Sequence, residues 1–195
     1  DIDFASPFSL QNGIRFFDAF FGDGDSLKVA GKSNVWHLTG DDSGDVDAPV
    51  AVAFAGVENL FGGESEDIFA PEPGAILSGV VDGGAGDDTL DYSGYTADVM
   101  VDLQNRAATG IGGFSGIDAV AGGAGSDVLV GPDADADWNI DGINAGQVAG
   151  ILFSGIENLQ GGAGDDTFVF SDGSGVTGRI HGGGGENTLD YSAYL

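Results

Sequence analysis

Residues 161–170 read GGAGDDTFVF, and nearly the same string stands at 83–90 as GGAGDDTL and at 122–129 as GGAGSDVL. The Gly-Gly pairs that open such stretches begin at 62, 83, 122, 161 and 182, so the spacings are 21, 39, 39 and 21, one or two multiples of about 20. The beat missing near 142 holds DGINAG, which reads as a degenerate turn. A longer period lies over the short one. FAGVENLFGG at 54–63 returns as FSGIENLQGG at 153–162, and DGGAGDDTLDYSGY at 82–95 returns as HGGGGENTLDYSAY at 181–194, both 99 residues later, while Trp36 and Trp138 are 102 apart. The larger unit is read as five turns of about 20 residues.

Each turn obeys one grammar. An apolar residue stands two places before the Gly-Gly (Leu60, Val81, Val120, Leu159, Ile180), and another stands seven after its first glycine (Phe69, Leu90, Leu129, Phe168, Leu189). Alternation around them, as in Val99-Met100-Val101-Asp102-Leu103, and enrichment in β-branched and aromatic residues predict short strands joined by glycine turns. A unit of about 20 residues cannot bury its apolar face alone, but stacked units build a continuous core. The expected fold is therefore all-β, a parallel β-solenoid of the β-helix or β-roll kind, over residues 34–195. Residues 1–33 stand apart: Phe4, Phe8, Phe16, Phe17, Phe20 and Phe21 crowd a segment without the Gly-Gly grammar. A solenoid must close its ends or expose strand edges, so this segment reads as an N-terminal cap or a docking surface.

Composition narrows the partners. The chain has 32 Asp and Glu against 5 Lys and Arg, a net charge of -27, which argues against nucleic acid and anionic membranes and favours bound cations. The 37 glycines far exceed ordinary usage, yet Val, Ile, Leu and Phe remain plentiful, which separates the chain from disordered acidic sequences. Cysteine is absent, removing disulfides, thiol catalysis and cysteine-bound zinc. No apolar run is long enough to span a bilayer as a helix, so no membrane insertion is expected. The opening DIDFASPFSL carries acid where a signal peptide carries base, as expected of a processed chain or a piece of a longer one.

The pattern G-G-x-G-x-D-x-apolar, complete at 83–90, 122–129 and 161–168, resembles the calcium-binding nonapeptide of RTX proteins. The longer stretch GGAGDDTLDYSGYTADVMVDLQNRAATGIGGFSGIDAVAGGAGSDVL resembles repeats of very large secreted bacterial surface proteins of the adhesin or hemagglutinin-like kind. The resemblance implies Ca²⁺ as cofactor, with Asp88, Asp127 and Asp166 as carboxylate ligands and the carbonyls of Gly83, Gly122 and Gly161 as co-ligands. Asp67, in the copy GGESEDIF, and the adjacent Asp87 and Asp165 complete the candidate metal set. Glycines open a turn's carbonyls and aspartate adds a carboxylate, the oxygen ligands a hard cation takes. The copy at 62 lacks the fourth-position glycine, and the copy at 182 has Asn187 in place of aspartate. A purely architectural reading stands beside this one, in which the aspartates cap backbone amides at solenoid corners.

Catalysis finds little support. His37 and His181 fall outside the repeated grammar and read as ordinary surface residues. A polysaccharide-active β-helix, lyase or epimerase, or its calcium-binding accessory module, is the alternative, but five scattered cations are few for holding an anionic sugar chain. The expected function is a noncatalytic, extracellular, calcium-stabilised structural or adhesive module of the bacterial surface. It pairs with itself head to tail or as a repeat of a longer chain, and with cell-surface or matrix glycans.

Overall fold

The computed structural model describes residues 2–3, 17–18, 24–29, 31–47 and 51–195. The fold is all-β, a mostly parallel β-solenoid of about five coils. It divides into two compact units, Asp1–Gly94 with Gly110–Ile117, and Tyr95–Thr109 with Asp118–Leu195. Much of the phenylalanine-rich segment lies outside the described residues. Its described parts continue the sheets, Ile2–Asp3 pairing parallel with Ser26–Lys28, and Phe17–Asp18 with Val52–Ala55.

In the first unit one face runs through Ser26–Lys28, Asn59–Gly63, Leu77–Gly84 and Ile111–Ser115, all parallel. The facing sheet runs through Asn34–Gly40, Asp67–Pro71 and Thr89–Asp91, again parallel. Pairing in register places one apolar residue of each coil over the next, so Leu27, Leu60, Val81 and Phe114 form one row, and Trp36, Phe69 and Leu90 face them. All seven are buried. The second unit repeats the scheme with Val101, Leu129, Leu159 and Ile180 on one sheet and Trp138, Phe168 and Leu189 on the other. The apolar grammar of the sequence is thus the core in every coil but the last, where Ile180 is half-buried and Leu189 exposed. Each unit opens its second row with a stacked aromatic pair, Trp36–Phe69 at 5.6 Å and Trp138–Phe168 at 5.3 Å between ring centroids, geometry that adds to simple burial.

The two 39-residue intervals differ from expectation. Neither holds a complete second coil. Between 122 and 161 the chain reverses within one sheet, Asp137–Gly142 pairing antiparallel with Ala145–Val148 and that strand with Ile151–Ser154. DGINAG is therefore a hairpin tip, with Asn144 in the left-handed region at φ 55°, a conformation that asparagine tolerates better than most residues. Between 83 and 122, Met100–Asp102 pairs antiparallel with Ala107–Ala108, and Arg106 has φ 52°. The first unit carries the same excursion at Asn34–Gly40, Ser43–Val46 and Val52–Ala55, with Asp42 at φ 44° in the tip. The two internal offsets now have a cause. The connection from Val46 to Val52 is three residues longer than that from Val148 to Ile151, so the offset is 102 before it and 99 after it.

Phe168 lies inward, in register with Leu189 on the next coil and stacked on Trp138. Phe168→Ala is expected to lower unfolding free energy by about 3–5 kcal/mol, the usual cost of truncating a buried aromatic. Denaturant titration measures it, and a loss under about 1 kcal/mol would contradict a well-packed row.

Candidate metal-binding corners

Every Gly-Gly turn joins a strand of one sheet to a strand of the facing sheet, so all the sixth-position residues fall on the same kind of corner. The alternation that sends Phe69, Leu90, Leu129 and Phe168 inward also sends inward the residue two places earlier. Asp67, Asp88, Asp127 and Asp166 are consequently buried with no exposed surface, while their neighbours Asp87 and Asp165 are exposed.

The buried carboxylates cap backbone amides of the adjoining coil. Asp67 Oδ1 accepts from Asn34 N–H at 3.0 Å and from its side-chain amide at 2.8 Å; Asp88 Oδ1 accepts from Asp67 N–H at 2.8 Å. Asp127 Oδ1 accepts from Val99 N–H at 2.8 Å, and its Oδ2 from Gly123 N–H at 2.7 Å. Asn187 takes the same role, accepting from Asp166 N–H at 2.9 Å. The amides of Gly162 and Ala136 and the indole of Trp138 point at the Asp166 carboxylate without closing a full hydrogen bond; Asp67 Oδ2 is likewise left short. Burial pushes both Asp67 and Asp166 above the usual carboxylate range, with the facing donors opposing the shift.

The first glycine of each motif makes room for this carboxylate. A Cβ on Gly122 would overlap the Gly155 carbonyl and stand 2.7 Å from Asp127 Oδ2, and one on Gly62 would stand 2.6 Å from Asp67 Oδ2. The carbonyls of Gly83 and Gly182 lie equally close above Gly62 and Gly161. Glycine at the first position and aspartate at the sixth are therefore one packed pair.

The exposed acids form a second series that runs the other way along the stack. Asp98 Oδ1 accepts from Ser126 N–H at 2.8 Å, Asp135 Oδ1 from Asp165 N–H at 2.9 Å, and Asp165 Oδ1 from Glu186 N–H at 2.7 Å. The turn at 83–88 stacks on that at 62–67, and the turn at 182–187 on that at 161–166, whereas 122–127 stacks on the Tyr95–Asp98 segment. In the two stacked pairs the upper turn carries left-handed glycines, Gly84 and Gly86, Gly183 and Gly185.

Sequence reading passed over the roles of the repeated Glu-Asn of GVENL and GIENL. Glu58 Oε2 accepts from Asp25 N–H at 2.7 Å and Glu157 Oε2 from Asp127 N–H at 2.9 Å. Asn59 and Asn158 each bridge two coils, their Nδ2 donating to Asp25 and Asp127 carbonyls and their Oδ1 accepting from Val80 and Arg179 N–H. The signal was the recurrence of the pair 99 residues apart. A second group with metal-ligating atoms also emerges, His37, Asp45 and Asp47, whose ligand atoms all lie within 4.8 Å of one another.

Residues 70–193 match the family described as Peptidase M10 serralysin C terminal. The chain belongs to that family. It is a calcium-binding β-roll repeat region of the RTX kind, homologous to the serralysin C-terminal domain. The match is to the noncatalytic β-roll of those peptidases and not to their catalytic domain. Neither a curated protein nor a solved structure matches at a significant level.

Two predictions follow from these corners. Gly122→Ala is expected to destabilise by about 1–3 kcal/mol or more, since backbone of two coils must separate, whereas Gly94→Ala, with open space around it, stays within about 0.5 kcal/mol in the same denaturant titration. The second concerns pH. A carboxyl whose folded pKa is raised favours folding most when protonated, and that advantage is lost as pH rises from the ordinary carboxylate range through the raised value. Asp166→Asn, the substitution that position 187 already carries, is therefore expected to gain thermal midpoint relative to the unsubstituted, calcium-free chain as pH rises through that window. A constant difference across pH would contradict the raised value.

Proposed function

We propose that the chain is a noncatalytic extracellular structural and adhesive module of a bacterial surface protein, stabilised by calcium and assembling head to tail. One observation carries the assembly. TLDYSGY at 89–95 and TLDYSAY at 188–194 are near copies, yet Leu90, Tyr92 and Tyr95 are buried while Leu189, Tyr191 and Tyr194 are 56%, 51% and 45% exposed. The first copy shows what the repeat does with these side chains when they are covered. The second presents the same apolar surface bare, on the outermost strands of both sheets, Ile180–His181 and Thr188–Asp190. Bare strand edges and apolar patches are templates for another coil, from a longer chain or a second copy, and the phenylalanine-rich residues 1–33 are the docking segment in this reading. A head-to-tail contact is heterologous and propagates as a filament unless the rotation closes.

Calcium fits the corners on the ground of an orphaned atom. Asp67 Oδ2 is buried without a full hydrogen bond, packed against Gly62 with the Gly83 carbonyl against the same glycine, and burial disfavours its charge. In this reading Asp67, Asp88, Asp127 and Asp166, the exposed Asp87 and Asp165, and the carbonyls of Gly83, Gly122 and Gly161 hold the ions. A bound dication supplies positive charge to a chain of net charge -27; the protein's own groups bring the oxygens together by stacking two turns. For adhesion, a groove of about 410 Å³ is lined by Asp102, Gln104, Asn105, Asp133 and Gln160, the amide and carboxylate chemistry that suits the hydroxyls of surface or matrix glycans.

Chelation is expected to lower the thermal midpoint and millimolar calcium to raise it, because a ligand bound only by the folded state stabilises it; Asp67→Asn with Asp166→Asn reduces that response. An unchanged midpoint would leave the corners as architecture alone. Light scattering and electron microscopy with and without calcium test assembly, as does deletion of residues 1–30. Monodisperse monomers throughout would overturn head-to-tail growth.

A further inference from the structure

The hairpin formed by Asn34–Gly40 and Ser43–Val46 alternates from residue 34 to 38 and from 43 to 46, with a register shift only at its tip between Leu38 and Gly40. Trp36, Leu38 and Val46 point into the core and are buried, so positions 37, 45 and 47 share the outward face. His37 stands directly opposite Asp45, and Asp47 follows on the same face, its amide donating to the Val35 carbonyl at 2.8 Å and so extending the ladder. His37 Nε2 lies 3.5 Å from Asp47 Oδ2, and one ligand atom from each of the three residues falls within 4.8 Å of the others. The flanks are small. Ala70 is the partner of His37 on one side and Ala53 the partner of Asp45 on the other, so the row Ala70–His37–Asp45–Ala53 leaves the imidazole and carboxylates open above the sheet.

We propose that His37 Nε2 and the carboxylates of Asp45 and Asp47 form a binding site for a dication of the zinc class, with water completing its coordination. The donor set selects the ion. Calcium takes six to eight oxygens and gains little from an imidazole nitrogen, whereas zinc and its neighbours take nitrogen with carboxylate at low coordination number. Two carboxylates and a neutral imidazole also balance the dication's charge. The site is thus different in chemistry and place from the all-oxygen corners.

The molecule holds its own control. The second unit builds the same hairpin with Asn139 opposite Gln147, where the first has His37 opposite Asp45, and a two-residue turn at Ala149 where the first has Asp47. The architecture is therefore kept without the ligands. Nothing in the folding of this hairpin requires a histidine between two aspartates.

The test is isothermal titration of Zn²⁺ into the full chain kept in millimolar calcium, so that the oxygen corners are already served, with Co²⁺ as a spectroscopic probe. One saturable ion per chain is expected, with visible cobalt bands of a low-coordinate nitrogen–oxygen site. His37→Asn with Asp45→Gln installs the pair found in the second hairpin, so the fold is kept. It is expected to weaken zinc binding about tenfold or more, by the loss of two of three protein ligands, with an unchanged midpoint in zinc-free buffer. Asp47→Ala should weaken binding as well, and His181→Asn should leave it intact. Absence of saturable one-to-one binding, binding by the double variant equal to the parent, dependence on His181, or displacement of zinc by calcium would each overturn the proposal.

Discussion

The structure depends on a carboxylate folded back over a glycine. At each corner the sixth-position side chain lies against the first glycine, and at all of them but Asp166 it accepts from an amide of the neighbouring coil. That contact does three things at once. It satisfies a backbone donor that the corner would otherwise bury without a partner, it sets the coil spacing by letting backbone approach backbone, and it holds the following apolar residue in register with its counterpart. Neither member works alone, since a Cβ at the glycine would occupy the carboxylate's place. The cost is a buried charge, visible as the upward shift of Asp67 and Asp166, and it is the cost that a proton, an asparagine or a cation relieves.

Two polar series therefore run along the stack in opposite senses, the buried carboxylates of Asp67, Asp88 and Asp127 capping amides on one neighbour and the exposed ones on the other. Adjacent aspartates such as Asp165 and Asp166 are not redundant: strand alternation exposes the first, which caps Glu186 N–H, and buries the second against Gly161. The Glu-Asn pairs at 58–59 and 157–158 stitch the coils in the same way. A chain without cysteine is thus cross-linked between coils by side chains that bond to backbone, each bond spanning roughly one coil of sequence.

The antiparallel hairpins break the solenoid's uniformity and give each unit a surface that pure coils lack. They explain why Trp36 and Trp138 head their units, since each starts the strand that seeds an aromatic stack. They also free the outward face of those strands from the repeat, and there the two units diverge, His37 and Asp45 in one and Asn139 and Gln147 in the other. The core positions of the same hairpins stay alike.

The sequence by itself determined the solenoid, most of the inward positions and the two places where glycine corners stack one coil of 21 residues apart, while the other coils, such as Leu27 to Leu60 and Leu129 to Leu159, are longer than its period of about 20. These follow from steric rules and periodicity acting within a few residues: glycine where the chain must turn tightly, apolar residues every second place, one motif per coil. It also showed, in TLDYS and ENL, which phrases recur. What such phrases do was decided by tertiary structure, because the partner lies 21 to 33 residues away, as for Asn59 with Val80 and Glu58 with Asp25. The same holds for the 39-residue intervals, where a reversal within one sheet and a passage to the facing sheet use the same kind of turn residues, and only pairing with neighbouring strands separates them. His37 belongs there too. No local rule joins it to Asp45 and Asp47; a hairpin register does, by placing three alternate side chains on one face.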